Sequence, residues 1–175
     1  VKEMEKDIKR LETITNRFSK IGFQSALQKT DMLLTTKQAV EYLRTRSPKK
    51  IKVSCNLPYE PVYADVNVPL FEWVIENLVR NAIDAIEGEG KIDVTLFSNE
   101  KNIQIDVKDT GKGIPAQKVN SVFRPGFSTK KRGWGLGLSL AKRIIDDYHK
   151  GRIFVAESIV NEGTTFRIIL PKVPF

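Results

Sequence analysis

Residues 69–87, PLFEWVIENLVRNAIDAIE, constrain the fold more than any other stretch of the chain. Phe71, Val74, Ile75, Leu78, Val79, Ala82, Ala85 and Ile86 recur at the helical period and make a broad apolar face, and Gly88 and Gly90 end the pattern. A helix of this kind has to lie on a wide apolar surface. Residues 91–98 (Ile92, Val94, Leu96) and 102–109 (Ile103, Ile105, Val107) offer one, because strict alternation sends their apolar side chains to a single side. The short turn between them makes the pair a hairpin.

Other segments extend the same plan. Residues 31–46 form a second amphipathic stretch (Leu33, Leu34, Ala39, Val40, Leu43), and Ser47-Pro48 should stop it near Arg46, since proline disfavours helical backbone at the residue before it. Ile51, Val53 and Cys55 alternate as a strand, and a short strand is expected over residues 62–64. Leu138, Leu140, Ala141, Ile144 and Ile145 mark another helix. Gly151 leads to a strand over residues 152–157, and Asn161-Glu162-Gly163 turns it into a last strand, residues 165–170, stopped by Pro171. Strands grouped in hairpins with helices between them predict a mixed sheet with helices on one face. Residues 1–26 differ. Val1, Met4, Ile8, Leu11, Ile14, Phe18 and Ile21 make a narrow seam on an otherwise polar helix, which suits packing on a partner helix in a preceding segment or a second subunit or, alternatively, on the domain's own core.

The 175 residues hold 29 Lys and Arg against 21 Asp and Glu, a formal charge of +8. That balance admits polyanionic partners such as nucleotide phosphates. The lysines are scattered and no nucleic-acid motif is visible, so nucleic acid is not an expected partner. One cysteine, Cys55, excludes an internal disulfide and suits a reducing cytoplasm. No apolar run approaches the roughly 18 residues of a membrane span, so no membrane contact is expected of this stretch. Its start at Val1 rather than Met points to a fragment, whose preceding segment could attach the whole protein to the inner membrane.

The chemistry concentrates in residues 109–143, DTGKGIPAQKVNSVFRPGFSTKKRGWGLGLSLAKR. Glycine clusters at Gly111 and Gly113, then at Gly133, Gly135 and Gly137, let a ligand approach main-chain N–H groups without meeting a Cβ. The second cluster runs into a helix N-terminus, where unpaired N–H groups and the dipole favour anions. A nucleotide site follows as the expectation. Asp109 ends a strand just ahead of the first cluster; its carboxylate is an acceptor only, suited to the exocyclic amine of adenine or, alternatively, to an Asx turn closing the strand. On the 69–87 helix Asn77, Asn81 and Asp84 share a stripe. Asparagine is a mediocre helix former. The stripe therefore reads either as amide oxygens for Mg²⁺, which shares itself between one or two protein groups and nucleotide phosphates, or as hydrogen bonds to neighbouring backbone.

In order, ENLVRNAIDA (76–85), DTGKGI (109–114), VFRPGFST (122–129) and GWGLGLSLAKRI (133–144) resemble the N, G1, F and G2 boxes of sensor histidine kinases, and GTTFRIILP (163–171) resembles the end of the same ATP-binding domain. The likeness covers roughly residues 30–172. It implies the Bergerat fold, a two-layer α/β sandwich of the α+β class, over residues 29–175, with residues 1–28 similar to the second helix of the dimerisation domain. It also implies that Asn81 binds Mg²⁺ with Asn77 assisting, that Asp109 takes the adenine amine, and that Gly111 and Gly113 shape the pocket. Gly133, Gly135, Gly137 and Leu138 would meet the phosphates where a lid hinges. Thr164 either supports Asp109 or is a plain strand threonine. Phe123 and Phe127 fall on the lid as packing or docking residues. Lys130, Lys131 and Arg132 read as solvated lid charges, of which one, Lys130 foremost, could reach the terminal phosphate.

Two positions depart from the pattern. Asp84 is acidic where many of these kinases carry a basic or polar residue, which raises the claim of Lys130 or Arg80 to the phosphate contact. Asn77 stands where ATP-hydrolysing relatives such as gyrase and MutL carry a glutamate general base, and an amide cannot take a proton. Glu76 lies about 100° round the helix and is expected to pair with Arg80. The resemblance thus implies transfer of the ATP γ-phosphoryl group to a histidine and thence to a response regulator, with Asn77 and Lys130 as catalytic candidates. The single histidine, His149, reads as a structural helix-ending residue. The acceptor is therefore expected upstream of Val1, on a dimerisation domain that makes the whole protein a homodimer, and residues 1–175 should bind Mg-ATP without labelling themselves. The alternatives are an ATPase or serine kinase of the same fold, and a nucleotide-gated interaction module.

Overall fold

Every alternating run becomes a strand, and each lies within a few residues of its expected place. The computed structural model describes residues 26–127 and 135–174. The seamed segment before them, and Lys130, Lys131, Arg132 and Gly133, lie outside the described residues. In chain order the elements are β1 (Gln28–Asp31), α1 (Met32–Arg44), β2 (Ile51–Asn56), β3 (Tyr63–Val66), α2 (Val68–Ala85), β4 (Gly90–Ser98), β5 (Asn102–Asp109), α3 (Ala116–Val119), α4 (Gly137–Lys142), a π-helical turn (Arg143–Tyr148), β6 (Arg152–Ile159) and β7 (Gly163–Pro171).

The main sheet runs β2-β4-β5-β7-β6, with β2 parallel to β4 and every other neighbour antiparallel. Ile92 and Val94 of β4, Ile103 and Ile105 of β5, and Ile168 of β7 are fully buried on its inner face. Against them α2 buries Phe71, Val74, Ile75, Leu78 and Val79 completely; each such side chain contributes about 1.5–3 kcal/mol by leaving water. The helices thus cover one face only, as the strand phases predict. The opposite face is polar: Arg167 forks onto Asp106 at 2.8 and 2.7 Å, a half-exposed pair worth at most about 1 kcal/mol.

Helix starts are set by the residues just before them. The Asp31 carboxylate accepts from Leu33 N–H at 2.9 Å to begin α1, and the Asn67 amide accepts from Leu70 N–H at 3.1 Å to begin α2. α1 ends at Arg44, two residues short of the expected stop. β1 has no counterpart in the sequence reading. Its Gln-Lys-Thr-Asp has no apolar alternation, and it is a strand because it pairs with β3, Thr30 opposite Ala64.

The helix after the glycines also differs from expectation. From Arg143 it widens into a π-helical turn that buries Ile144 and Ile145 together. His149 closes it, 2 % exposed. Its Nδ1–H faces Ile144 O at 2.8 Å, and its Nε2 accepts the Asn67 N–H at 3.0 Å. The ring therefore ties the end of this helix to the start of α2, the structural role the sequence suggests.

Burial holds the His149 pKa below its ordinary 6.5. As pH falls through 6.5 the unfolded chain takes up a proton that the folded chain refuses, so stability declines until the lower folded pKa is reached. For one proton the slope cannot exceed about 1.4 kcal/mol per pH unit. Urea denaturation between pH 7 and pH 5 should show this decline in the wild type and lack it in His149→Gln; equal slopes would show that His149 is not its source.

Candidate functional site

Asp109, at the end of β5, is opposite Ile92 on one side and Thr164 on the other, and Thr164 is opposite Ser158 of β6. Asp109, Thr164 and Ser158 therefore form one polar rung across three strands, at the end of an otherwise apolar inner face. Asp109 is 3 % exposed and Thr164 is 5 %. The Asp109 carboxylate accepts the Gly111 N–H at 2.7 Å, so the Asx turn that competed with base recognition in the sequence is present. Burial raises its pKa, against the lowering effect of backbone N–H groups from Gly111 and Thr164. A buried carboxylate that backbone N–H groups already approach is suited to a ligand that donates to it.

The loop after Asp109 is seated on the last turn of α2. Lys112 N–H donates to Ala85 O at 2.9 Å. A Cβ on Gly111 would come within 2.6 Å of that same carbonyl, so no larger residue fits there. Gly113 has φ +69 and backs onto Ile159, whose carbonyl would lie 2.2 Å from a Cβ. The first glycine cluster is thus clamped between α2 and the β6–β7 turn.

Two turns back along α2, Asn77 meets the second cluster. A Cβ on Gly137 would lie 2.5 Å from the Asn77 amide oxygen, so the amide is packed against the first residue of α4. The Asn77 amide nitrogen is buried with no hydrogen-bond partner among the described residues, which native interiors rarely tolerate. Leu136, at the N-cap of α4, has no side-chain polar group to cap the helix start. An orphaned amide beside an uncapped helix start fits phosphate oxygens and a metal bound to them. Asn81, half-buried one turn further along the same stripe, continues toward the loop after Asp109. Among the described residues no cluster of His, Cys, Asp and Glu could hold a metal by itself. Amide oxygens completed by a nucleotide's own phosphates remain the donor set, which suits Mg²⁺.

The remaining predicted residues are distributed around this frame. Gly135 has φ +62, and its carbonyl accepts Gly126 N–H at 3.1 Å, joining the chain on either side of residues 128–134. Leu138 and Phe127 pack on the core edge, and Phe123 stacks edge-on to Phe166 with centroids 6.1 Å apart. Arg80 pairs with Glu76 as expected. Ser158 is the site residue that sequence reasoning misses: nothing in its local pattern announces that it faces inward. Two concavities lie elsewhere, a groove of about 560 Å³ between α1, α2 and α4 and a trough of about 450 Å³ on the open sheet face. Neither contains the asparagines or the glycine loops, so the site is marked by its chemistry.

Residues 67–174 match the family described as histidine kinase-, DNA gyrase B-, and HSP90-like ATPase. The adaptive-response sensory kinase SasA of Gloeothece citriformis (strain PCC 7424) is 40% identical over 130 residues, 70% of this chain and 32% of that protein. Sensor histidine kinase ZraS of Escherichia coli (strain K12) is 43% identical over 98 residues, 56% of this chain and 21% of that one. The chain therefore spans about a third or less of these curated relatives. Among solved structures, the catalytic domain of histidine kinase ThkA superposes with a TM-score of 0.75 at 28% identity, covering 83% of this chain and 95% of that one. Histidine kinase ThkA in complex with response regulator protein TrrA gives 0.78 at 25% identity, over 97% of this chain and 49% of that one. With most of its length matched and the same two-layer fold, the chain belongs to the histidine kinase-, DNA gyrase B- and HSP90-like ATPase family.

Proposed function

We propose that residues 29–175 are the ATP-binding catalytic part of a sensor histidine kinase, and that residues 1–28 are the end of its dimerisation domain. One observation carries the reading: midway along a single helix, α2, an asparagine amide with no hydrogen-bond partner among the described residues faces a helix start that its N-cap residue leaves uncapped, and a loop holding a buried carboxylate sits on the last turn of the same helix. Asp109 accepts the adenine amine, and Gly111 and Gly113 let the base lie close to the backbone. Asn81 and Asn77 present amide oxygens to Mg²⁺, which when bound neutralises charge on the phosphates. The N–H groups at Gly137 and Leu138, with Gly133 and Lys130, hold the terminal phosphates. Asn77 has no basicity with which to activate water, so the site transfers the γ-phosphoryl group in line to a histidine and does so mainly by positioning.

The acceptor histidine lies outside residues 1–175, on the dimerisation domain of a cytoplasmic homodimer, and a response regulator receives the phosphoryl group next. Support for the partner comes from ThkA, solved with response regulator protein TrrA, and support for the domain division from the greater coverage by that longer structure. Among the described residues no helix is long and apolar enough to cross a membrane.

Incubating the chain with γ-labelled ATP, Mg²⁺ and a separately made histidine-bearing dimerisation segment should label the segment and leave His149 unlabelled. Release of free phosphate with no labelled protein would favour an ATPase instead. Asn81→Ala should lower nucleotide affinity about tenfold or more in Mg²⁺ and change it little in EDTA. The same loss in both conditions would remove Asn81 from the metal site.

A further inference from the structure

The helix that starts at Gly137 packs along α2 through both α4 and the π-helical turn. The two run in opposite directions. Gly137, its first residue, meets Asn77, while His149, which closes it, meets Asn67, the N-cap of α2. One contact lies where the phosphates are proposed to bind and the other at the far end of the pairing.

Between them Leu140, Ala141, Ile144 and Ile145 are buried. Apolar burial resists separation, but it is non-directional and does little against sliding or turning. A hydrogen bond is directional. The His149 ring is held from both sides by groups whose roles cannot be exchanged. The Asn67 N–H can only donate, so Nε2 accepts it at 3.0 Å; the Ile144 carbonyl can only accept, so Nδ1, at 2.8 Å, carries the ring proton. One neutral tautomer satisfies both. The same carbonyl accepts the His149 N–H at 3.0 Å, closing the last wide turn on the ring. That turn is what brings the ring to Asn67. An extra residue in a helix sets back all that follows by about 100°, so a regular α-helix continuing from Lys142 would carry His149 away. Gly151 fixes the exit: its N–H donates to Ile145 O at 2.9 Å, and a Cβ on it would lie 2.4 Å from the Ile169 carbonyl of β7.

We propose that His149 is a positioning residue for the phosphate end of the site: by locking the close of the 137–148 helix to the start of α2, it sets how Gly137 sits against Asn77. His149 touches no nucleotide itself and acts through the helix it closes. The loop proposed for the base is seated separately, on Ala85 and on the β6–β7 turn, and does not depend on it. The proposal rests on the phosphates being held where Asn77 meets Gly137.

The test sets ATP beside adenosine, which has the base and no phosphates, in equilibrium binding to the whole chain with Mg²⁺. His149→Ala should weaken ATP about tenfold and leave adenosine within about twofold of wild type. His149→Gln, whose amide oxygen can accept the Asn67 N–H, should recover most of the ATP affinity. Equal loss on both ligands, or loss on neither, would make the tie merely structural and overturn the proposal. Wild type alone also decides it, because coupling is reciprocal. At saturation, ATP should slow exchange of the Asn67 amide proton several-fold more than adenosine does, measured against the amides of β5. The same slowing with both overturns the proposal even where His149→Ala fails to fold. A wild type that binds ATP no more than about twofold better than adenosine would instead sink the phosphate reading itself, a result distinct from the others.

Discussion

Asp109→Asn should weaken adenine-nucleotide binding by about a hundredfold or more and leave the folded chain no less stable at pH 7. The carboxylate is an acceptor at both oxygens, whereas the amide turns an N–H₂ group toward the adenine amine or the neighbouring backbone donors. The stability half follows from burial. Because the folded pKa of Asp109 is raised above 3.8, between 3.8 and the folded value the folded state holds a proton that the unfolded chain has released. Stability conferred by this group therefore falls as pH rises through that window. Asparagine carries no such charge. Titration calorimetry with ATP, and urea denaturation at pH 4 and pH 7, check both halves. Unchanged affinity would remove Asp109 from the base contact, and a variant clearly weaker than wild type at pH 7 would show that its backbone hydrogen bonds outweigh its desolvation.

The largest loss of stability is expected from Gly163→Ala. Gly163 has φ +131, where residues with a Cβ are rarely found, and a Cβ there would lie 1.9 Å from the backbone oxygen of Asp109. Nothing at that contact can swing aside, since it is main chain against main chain where β7 begins to pair with β5. A cost on the order of 4 kcal/mol is expected, enough to leave much of a marginal domain unfolded. Gly88 is the control. It also has positive φ, at +86, but open space surrounds its Cβ position, so Gly88→Ala should cost only about 1 kcal/mol. Urea unfolding of the two variants side by side separates collision from conformational preference. Equal losses would mean that the clash relaxes.

Most of the layer plan was legible because, away from the Asp109 rung, the inner-face residues are apolar and in phase. The helix expected over residues 69–87 is α2, Val68–Ala85, and the run expected over 91–98 is β4, Gly90–Ser98. Asn77, Asp109 and the glycines stood out because each residue type was unusual for its place: amides inside an amphipathic helix, a carboxylate continuing an apolar alternation, and glycines where chain meets chain. What escaped depended on partners rather than pattern. β1 exists only through β3. The π-helical turn preserves the apolar stripe that an α-helix would show, so Ile144 and Ile145 could not reveal it. Ser158 was hidden by a one-residue slip in register, since counting by twos from Ile153 points it away from the rung where it is found.

Because α2 carries the asparagine stripe proposed for the metal at Asn77 and, at Ala85, the seat of the loop proposed for the base, it would work as a ruler. Eight residues of helix separate the two, about 12 Å, and both marks are cut into one helix whose apolar face is buried from Leu70 to Ala82. The distance between base and phosphate grips is then fixed by counting residues, not by the set of a flexible loop. A single residue inserted between Asn77 and Ala85 would lengthen the ruler by about 1.5 Å and turn one mark about 100° from the other. The helix could remain a helix, yet the two ends of a nucleotide would no longer find their holds together.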